Sequence, residues 1–329
     1  MKKKVKTFSV IAVLFLTLTA CSSTTNMPVP TVTNTPEPTA TSTPKPTVTN
    51  TPKPTVTSTP VPTATNTSVP TVEVTTGSAV ISFGMSGSEL EQELGKASDI
   101  IPAEYESCEW YIYNSDYTEF TMVLVKDSRV VGIFVDGIGF SYGDINTSTT
   151  IDDLVKAGFK KSKEEKYSKK ENTIFMTAYI DTLQDNTVEG FLIIEKLTTK
   201  VNQEVRTGFE KVSFELSNSF RVKNGITEFV WSDEAANVAR LHSEDMKKNN
   251  YFNHVSPSGA GPGERLEAAD MMWRAYAENI AMGYSNAIDV TYGWINSSGH
   301  RSNLLFDAVD YLGVGIKEDY YTQLFYTPR

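Results

Sequence analysis

The chain has 329 residues, 40% of them hydrophobic and 21% charged, with a formal charge of −10. That length accommodates about two folded domains. Lys2, Lys3, Lys4 and Lys6 crowd the extreme N-terminus; without them 26 basic residues face 40 acidic ones, for −14, and no basic patch stands out downstream, so nucleic acid is excluded as an expected partner.

The cationic start M-K-K-K-V-K is followed by a mostly apolar run from Phe8 to Thr19, shorter than the roughly 20 residues that span a bilayer. It ends in Leu18-Thr19-Ala20-Cys21. This resembles the lipobox of bacterial lipoproteins, which implies a signal peptide over residues 1–20, lipidation of Cys21 and an extracytoplasmic protein anchored to a bacterial cell membrane. A plain secretory signal ahead of a chance cysteine is the alternative; the polar Ser22-Ser23-Thr24-Thr25 start favours the lipoprotein. A lipidated Cys21 leaves Cys108 alone, so no internal disulfide forms and folding rests on core packing. Cys108 lies in a Tyr/Trp-rich run and reads as a small core residue rather than a nucleophile.

Residues 27–66 repeat with period eight, from M-P-V-P-T-V-T-N to T-P-V-P-T-A-T-N. Proline at the second and fourth places fixes φ and removes donors, so neither helix nor sheet propagates. Residues 21–77 therefore read as a disordered Pro/Thr-rich stalk, about 55 residues that in polyproline II reach on the order of 170 Å.

Order is expected from Ser78. A short helix is predicted within 84–96, capped by Ser86 or Ser88, with Leu90 and Leu94 on one face. Strands are predicted over 109–113, 119–126 and 130–135, the last two joined by a Lys126–Arg129 turn, then a helix over 150–157 and strands over 174–180 and 188–197. Residues 78–200 form an α+β domain with no histidine and no clustered motif.

All three histidines, His242, His254 and His300, fall in residues 205–329. Helices are predicted over 213–221 and 233–248, the second capped by Ser232 with Ala235, Val238, Ala239, His242 and Met246 on one stripe. That stripe places His242 at the edge of a core. A further helix is predicted over 264–272. Asn286 caps the next, which carries Trp294, stops at Gly299 and lets His300 emerge at its exit. The runs 312–316 and 321–326 alternate like antiparallel strands.

L-H-S-E-D-M (241–246), Y-F-N-H-V-S-P (251–257), A-E-N-I-A-M-G-Y (277–284), W-I-N-S-S-G-H-R-S-N (294–303), L-G-V-G-I (312–316) and Y-Y-T-Q-L-F (320–325) follow one another in this order. Together they resemble the bacterial branch of the CAP superfamily, the SCP domains related to cysteine-rich secretory, antigen 5 and pathogenesis-related 1 proteins. Residues 80–200 are similar to the CAP-associated N-terminal domain. The resemblance implies a C-terminal α-β-α sandwich whose cleft carries two histidines and two acids. By motif these are His254, Glu278 and His300; where animal relatives carry the second acid this chain has Ser297, so the set is one acid short.

Two imidazoles and a carboxylate suit a divalent metal such as zinc, held by His254, His300 and Glu278 with a position open for water. The same groups suit a hydrogen-bonded cluster with Glu278 orienting one imidazole, or acid–base work; Asn279, Ser297 and His242 are further candidates. Three functions stay open: a non-catalytic binding module for a lipid, cell-wall or protein ligand; a metal-assisted extracytoplasmic hydrolase; and an adhesion or signalling protein. The binding module is the preferred reading.

Overall fold

The computed structural model describes residues 72–162 and 165–329; the leader, Cys21 and the octad repeats lie outside the described residues. The fold is α+β. Strands β1 (Glu73–Thr76) and β2 (Ala79–Ser82) open it, ahead of the expected start at Ser78, because Val72 and Val74 alternate into the core. Helix α1 (Gly87–Leu94) follows, with Ser86 as its cap in a reciprocal pair with Glu89. Next come β3 (Asp99–Pro102), β4 (Cys108–Tyr113), β5 (Thr121–Lys126) and β6 (Arg129–Val135). Asp127 and Ser128 both take positive φ, 49° and 62°, as the tight β5–β6 hairpin demands.

Then follow β7 (Ser141–Tyr142), β8 (Ile145–Asn146), α2 (Ile151–Lys156, capped by Thr150), β9 (Lys160–Lys161), β10 (Lys166–Glu171), β11 (Ile174–Ile180) and β12 (Val188–Glu195). Eight of these strands make one sheet in the order β3-β4-β5-β6-β12-β11-β10-β9, and β2-β1-β7-β8 make a second. Cys108 is buried and unpaired, and burial pushes its thiol up to about 11, which suits a packing role.

Helix α3 runs Gln203–Lys223, ten residues longer at its start than the expected 213–221, because Val205, Phe209, Val212, Leu216 and Phe220 continue one apolar face back to the cap Asn202. After β13 (Val230–Trp231) come α4 (Asp233–Asn249, capped by Ser232) and α5 (Pro262–Ala268). Helix α5 ends short of Met272, since strand β14 (Trp273–Met282) must start there to pair with the last strand. Helix α6 (Ala287–Ile295), helix α7 (Ser298–Leu304), β15 (Tyr311–Lys317) and β16 (Tyr320–Pro328) complete the chain. The expected single helix to Gly299 is thus broken at Asn296, and His300 lies in the first turn of α7 rather than at a helix exit.

The C-terminal sheet has the order β13-β15-β16-β14, which leaves β14 on an edge. Leu312, Val314 and Ile316 of β15 point into the core that contains Val212, Leu216 and Phe220 of α3. Gly313 and Gly315 face the other way, against α4, where a Cβ would collide with the backbone of Ala236 and Arg240. The sheet is therefore sandwiched between α3 and α4. One apolar core also runs through both halves of the chain: Trp110, Phe134 and Tyr179 share it with Phe220, Tyr292 and Phe325. Tyr179 stacks on Tyr292 with ring centres 4.5 Å apart. Gly315→Ala is expected to lose about 3 kcal/mol of stability or more, because the obstacle is helix backbone rather than a movable side chain; a urea denaturation midpoint close to that of the wild type would contradict this packing.

Candidate functional site

Strand β14 distributes two adjacent residues to opposite faces. Glu278 pairs with Leu324 and Asn279 with Gln323 on β16, and successive side chains of a strand point to opposite sides. Glu278 turns toward α4 and α5 and is 6% exposed; Asn279 is fully buried on the other side. A buried carboxylate must be paired, and Glu278 is. Its Oε1 accepts from Nδ1 of His254 at 2.8 Å, and its Oε2 from Nη2 of Arg265 at 2.5 Å. Arg265 also donates through Nη1 to the carbonyl of His254 at 2.9 Å, so one guanidinium fixes both the carboxylate and the backbone of the histidine that meets it. Arg265 is placed by α5, whose first turn closes when Glu264 accepts from the Gly261 amide at 3.0 Å.

His254 follows an irregular loop and its side chain is 48% exposed. With Nδ1 given to Glu278, its Nε2 is the atom left for a ligand, and in the neutral ring that atom is an acceptor. His300 approaches from α7. Its Nδ1 lies 2.8 Å from Ser297 Oγ, so the serine at the position of the expected second acid orients this imidazole instead. Asn279 secures α7 to the strand: its Nδ2 donates to the His300 carbonyl at 3.3 Å, and its Oδ1 accepts from Asn303 at 2.9 Å. Burial first, and then nearby His254, hold the His300 imidazole below its ordinary range.

His242, expected at a core edge, is buried beneath the same carboxylate. Its Nε2 lies 3.1 Å from the Asn253 carbonyl and 3.9 Å from Glu278 Oε1, while its Nδ1 is buried without a partner. Burial lowers its pKa, the neighbouring Glu278 acting against that shift. The structure thus gathers His254, Glu278 and His242 in direct contact, with His300, Ser297 and Asn279 beside them. Sequence reasoning missed Arg265. Its pairing with an acid 13 residues away, across a helix and a strand, leaves no periodic signal.

Two family models match the chain: the cysteine-rich secretory protein family, CAP, over residues 214–327, and the CAP-associated N-terminal domain over 83–204. The chain is 30% identical to the uncharacterized membrane protein YlbC of Bacillus subtilis over 289 residues, which span 75% of this chain and 83% of that one. The chain belongs to the CAP family. Its CAP segment also resembles the uncharacterized protein YkwD of the same organism, 35% identical over 112 residues, or 34% of this chain and 44% of YkwD. Among solved structures, an extracellular protein containing an SCP domain from Bacillus anthracis is 26% identical with a TM-score of 0.65, covering 74% of this chain and 93% of its own. A cysteine-rich secretory protein from Staphylococcus aureus shares the fold at 16% identity and a TM-score of 0.58, over 74% of this chain and 90% of its own.

A zinc set of His254, Glu278 and His300 does not fit these side chains as they are placed. Both carboxylate oxygens of Glu278 are already engaged, one by a guanidinium that would sit directly against a bound cation. Among the described residues no group of three His, Cys, Asp or Glu side chains is arranged to hold a metal ion. The site instead presents two separately oriented imidazoles beside a buried Glu278–Arg265 pair.

Two measurements test this arrangement. Arg265→Ala strands a buried carboxylate and is expected to lower stability by about 3 kcal/mol, readable by urea denaturation; a loss below about 1 kcal/mol would mean that the pair is not structural. His242 titrates below its unfolded value near 6.5, so the unfolded chain binds the extra proton and this group's contribution to stability falls as pH drops below about 6.5. The stability advantage of wild type over His242→Gln is expected to shrink between pH 7 and pH 5; an advantage constant across that range would contradict the assignment.

Proposed function

We propose that this CAP-family chain works outside the cytoplasm as a lipid-anchored, non-catalytic binding module, and that its CAP cleft holds an amphipathic envelope ligand with a hydroxyl-bearing head. The observation that carries the reading is the orientation of the two imidazoles. Each has its Nδ1 committed, one to Glu278 and the other to Ser297, so Nε2 of each ring is the atom left to hydrogen-bond a ligand group such as a hydroxyl. Phe252 and Val255, which flank His254 in sequence, are 46% and 49% exposed and supply apolar surface for the ligand's body. The lipobox-like Leu18–Cys21 supports the anchor, as does similarity to a protein called a membrane protein and to one called extracellular. Among the described residues no helix is long and apolar enough to cross a membrane; in this reading Cys21 is the point of attachment.

A second reading has one observation in its favour. The His254–Glu278 hydrogen bond has the form of a general base with its orienting carboxylate, which would suit hydrolysis of the bound ligand by free water. Flotation with phosphatidylcholine vesicles, with and without a glucosyl diacylglycerol, separates the outcomes. Binding that depends on the glycolipid and falls about tenfold in both His254→Ala and His300→Ala, with the lipid recovered intact, is the expected result. Lipid breakdown abolished by His254→Ala would favour the hydrolase. Binding unchanged in both variants would remove the cleft from the function.

A further inference from the structure

The turn between β11 and β12 belongs to the N-terminal half of the chain, yet it grips the α6–α7 corner that carries His300. Asn296, the residue at which the two helices break, donates through Nδ2 to the Ile180 carbonyl at 2.9 Å. Its Oδ1 accepts from the amide of Thr182 at 2.7 Å and from the Thr182 hydroxyl at 2.8 Å. Five residues on, Arg301 lays its fork on Asp181, with Nη1 to Oδ1 and Nη2 to Oδ2 both at 2.8 Å, and Nη2 reaches Gln184 at 2.9 Å. The side chains of Arg301 and Asp181 are 12% and 5% exposed. The guanidinium carbon also lies 4.7 Å from the centre of the Phe220 ring. A bidentate pair at that depth is among the stronger polar contacts available to a protein.

Ser297 and His300 fall between these two fastened residues. The backbone that aims the second imidazole is thus held on one side by Asn279 of the CAP sheet and on the other by a turn outside the CAP segment. His254 is held differently, by Glu278 and Arg265, which both lie within the CAP segment.

We propose that Asp181, together with Thr182, is a positioning residue for His300, so that the CAP-associated N-terminal domain sets the geometry of one half of the CAP cleft. An ordinary interface ion pair would stabilise both halves without distinguishing the two imidazoles. A positioning pair acts on His300 and leaves His254 where it is. The inference builds on the cleft reading given above, but its test needs no ligand, so the two can fail independently.

The experiment is carbethoxylation of the full chain with diethyl pyrocarbonate, following each histidine by peptide mass. In Asp181→Ala, with a cooperative melt retained, the His300 rate is expected to rise about threefold or more as the corner opens locally, while His254 stays at its wild-type rate. Should Asp181→Ala fail to melt cooperatively, Asp181→Asn, which keeps the volume and one acceptor oxygen, is read by the same criterion. Equal rates at His300 in the variant and the wild type, or equal acceleration of His254 and His300, would overturn the proposal.

Discussion

A carboxylate taken out of water has to be neutralised by its neighbours, and Glu278 organises the C-terminal site around that requirement. It sits on an edge strand whose one neighbour, β16, sets apolar Leu324 opposite it, so the groups that satisfy it come from outside the sheet. They come from α5, which supplies Arg265, and from the loop before it, which supplies His254. Buried His242 on α4 closes the pocket from below. The irregular stretch Tyr251–Ala260 is thereby tied down without secondary structure of its own, through the Arg265 contacts to the carbonyls of His254 and Ala260. Position on an edge also leaves the Glu278 carbonyl open to α7, where Asn303 donates to it at 3.1 Å.

The second organising feature is the absence of a clean division between the two family-matched segments. Asp136, at the end of β6, is buried against α3, where it accepts from Ser219 at 2.8 Å and pairs with Lys223. Burial raises its pKa to about 6, with Lys223 opposing the shift. Glu215 of α3 binds Asn114 and Tyr117, both from the N-terminal half, at 2.7 Å each. Lys166 and Tyr179 hold Asp289 at the start of α6. Helices α3 and α6 are therefore faced on one side by their own sheet and on the other by strands of the preceding segment.

Much of this was legible locally. Caps at Ser86, Ser232 and Asn286 mark helix starts because a short polar side chain before an apolar stripe has one evident use. The apolar runs of β5 and β6, and the alternation in β15 and β16, mark strands. What stayed hidden depends on partners remote in sequence. The α6–α7 break at Asn296 owes its form to Thr182 and Ile180, and nothing near residue 296 announces them. Two-residue strands such as β7, β8, β9 and β13 are too short to show a period. His254, Glu278 and His300 were recognised through ordered motifs rather than spacing. The role of Ser297 as an imidazole partner, and of Arg265 as the counter-charge, follows only from three-dimensional proximity.

The connection between the matched segments is itself pinned. The carbonyls of Thr198 and Glu104 accept from the amides of Glu106 and Lys200, respectively, and Tyr105 bridges Thr199. With a shared apolar core on either side of that stretch, severing the peptide chain there would not liberate a free module. The two fragments would remain a non-covalent complex, each the template on which the other stays folded, and the molecule would behave as one object cut in two rather than as two beads on a string.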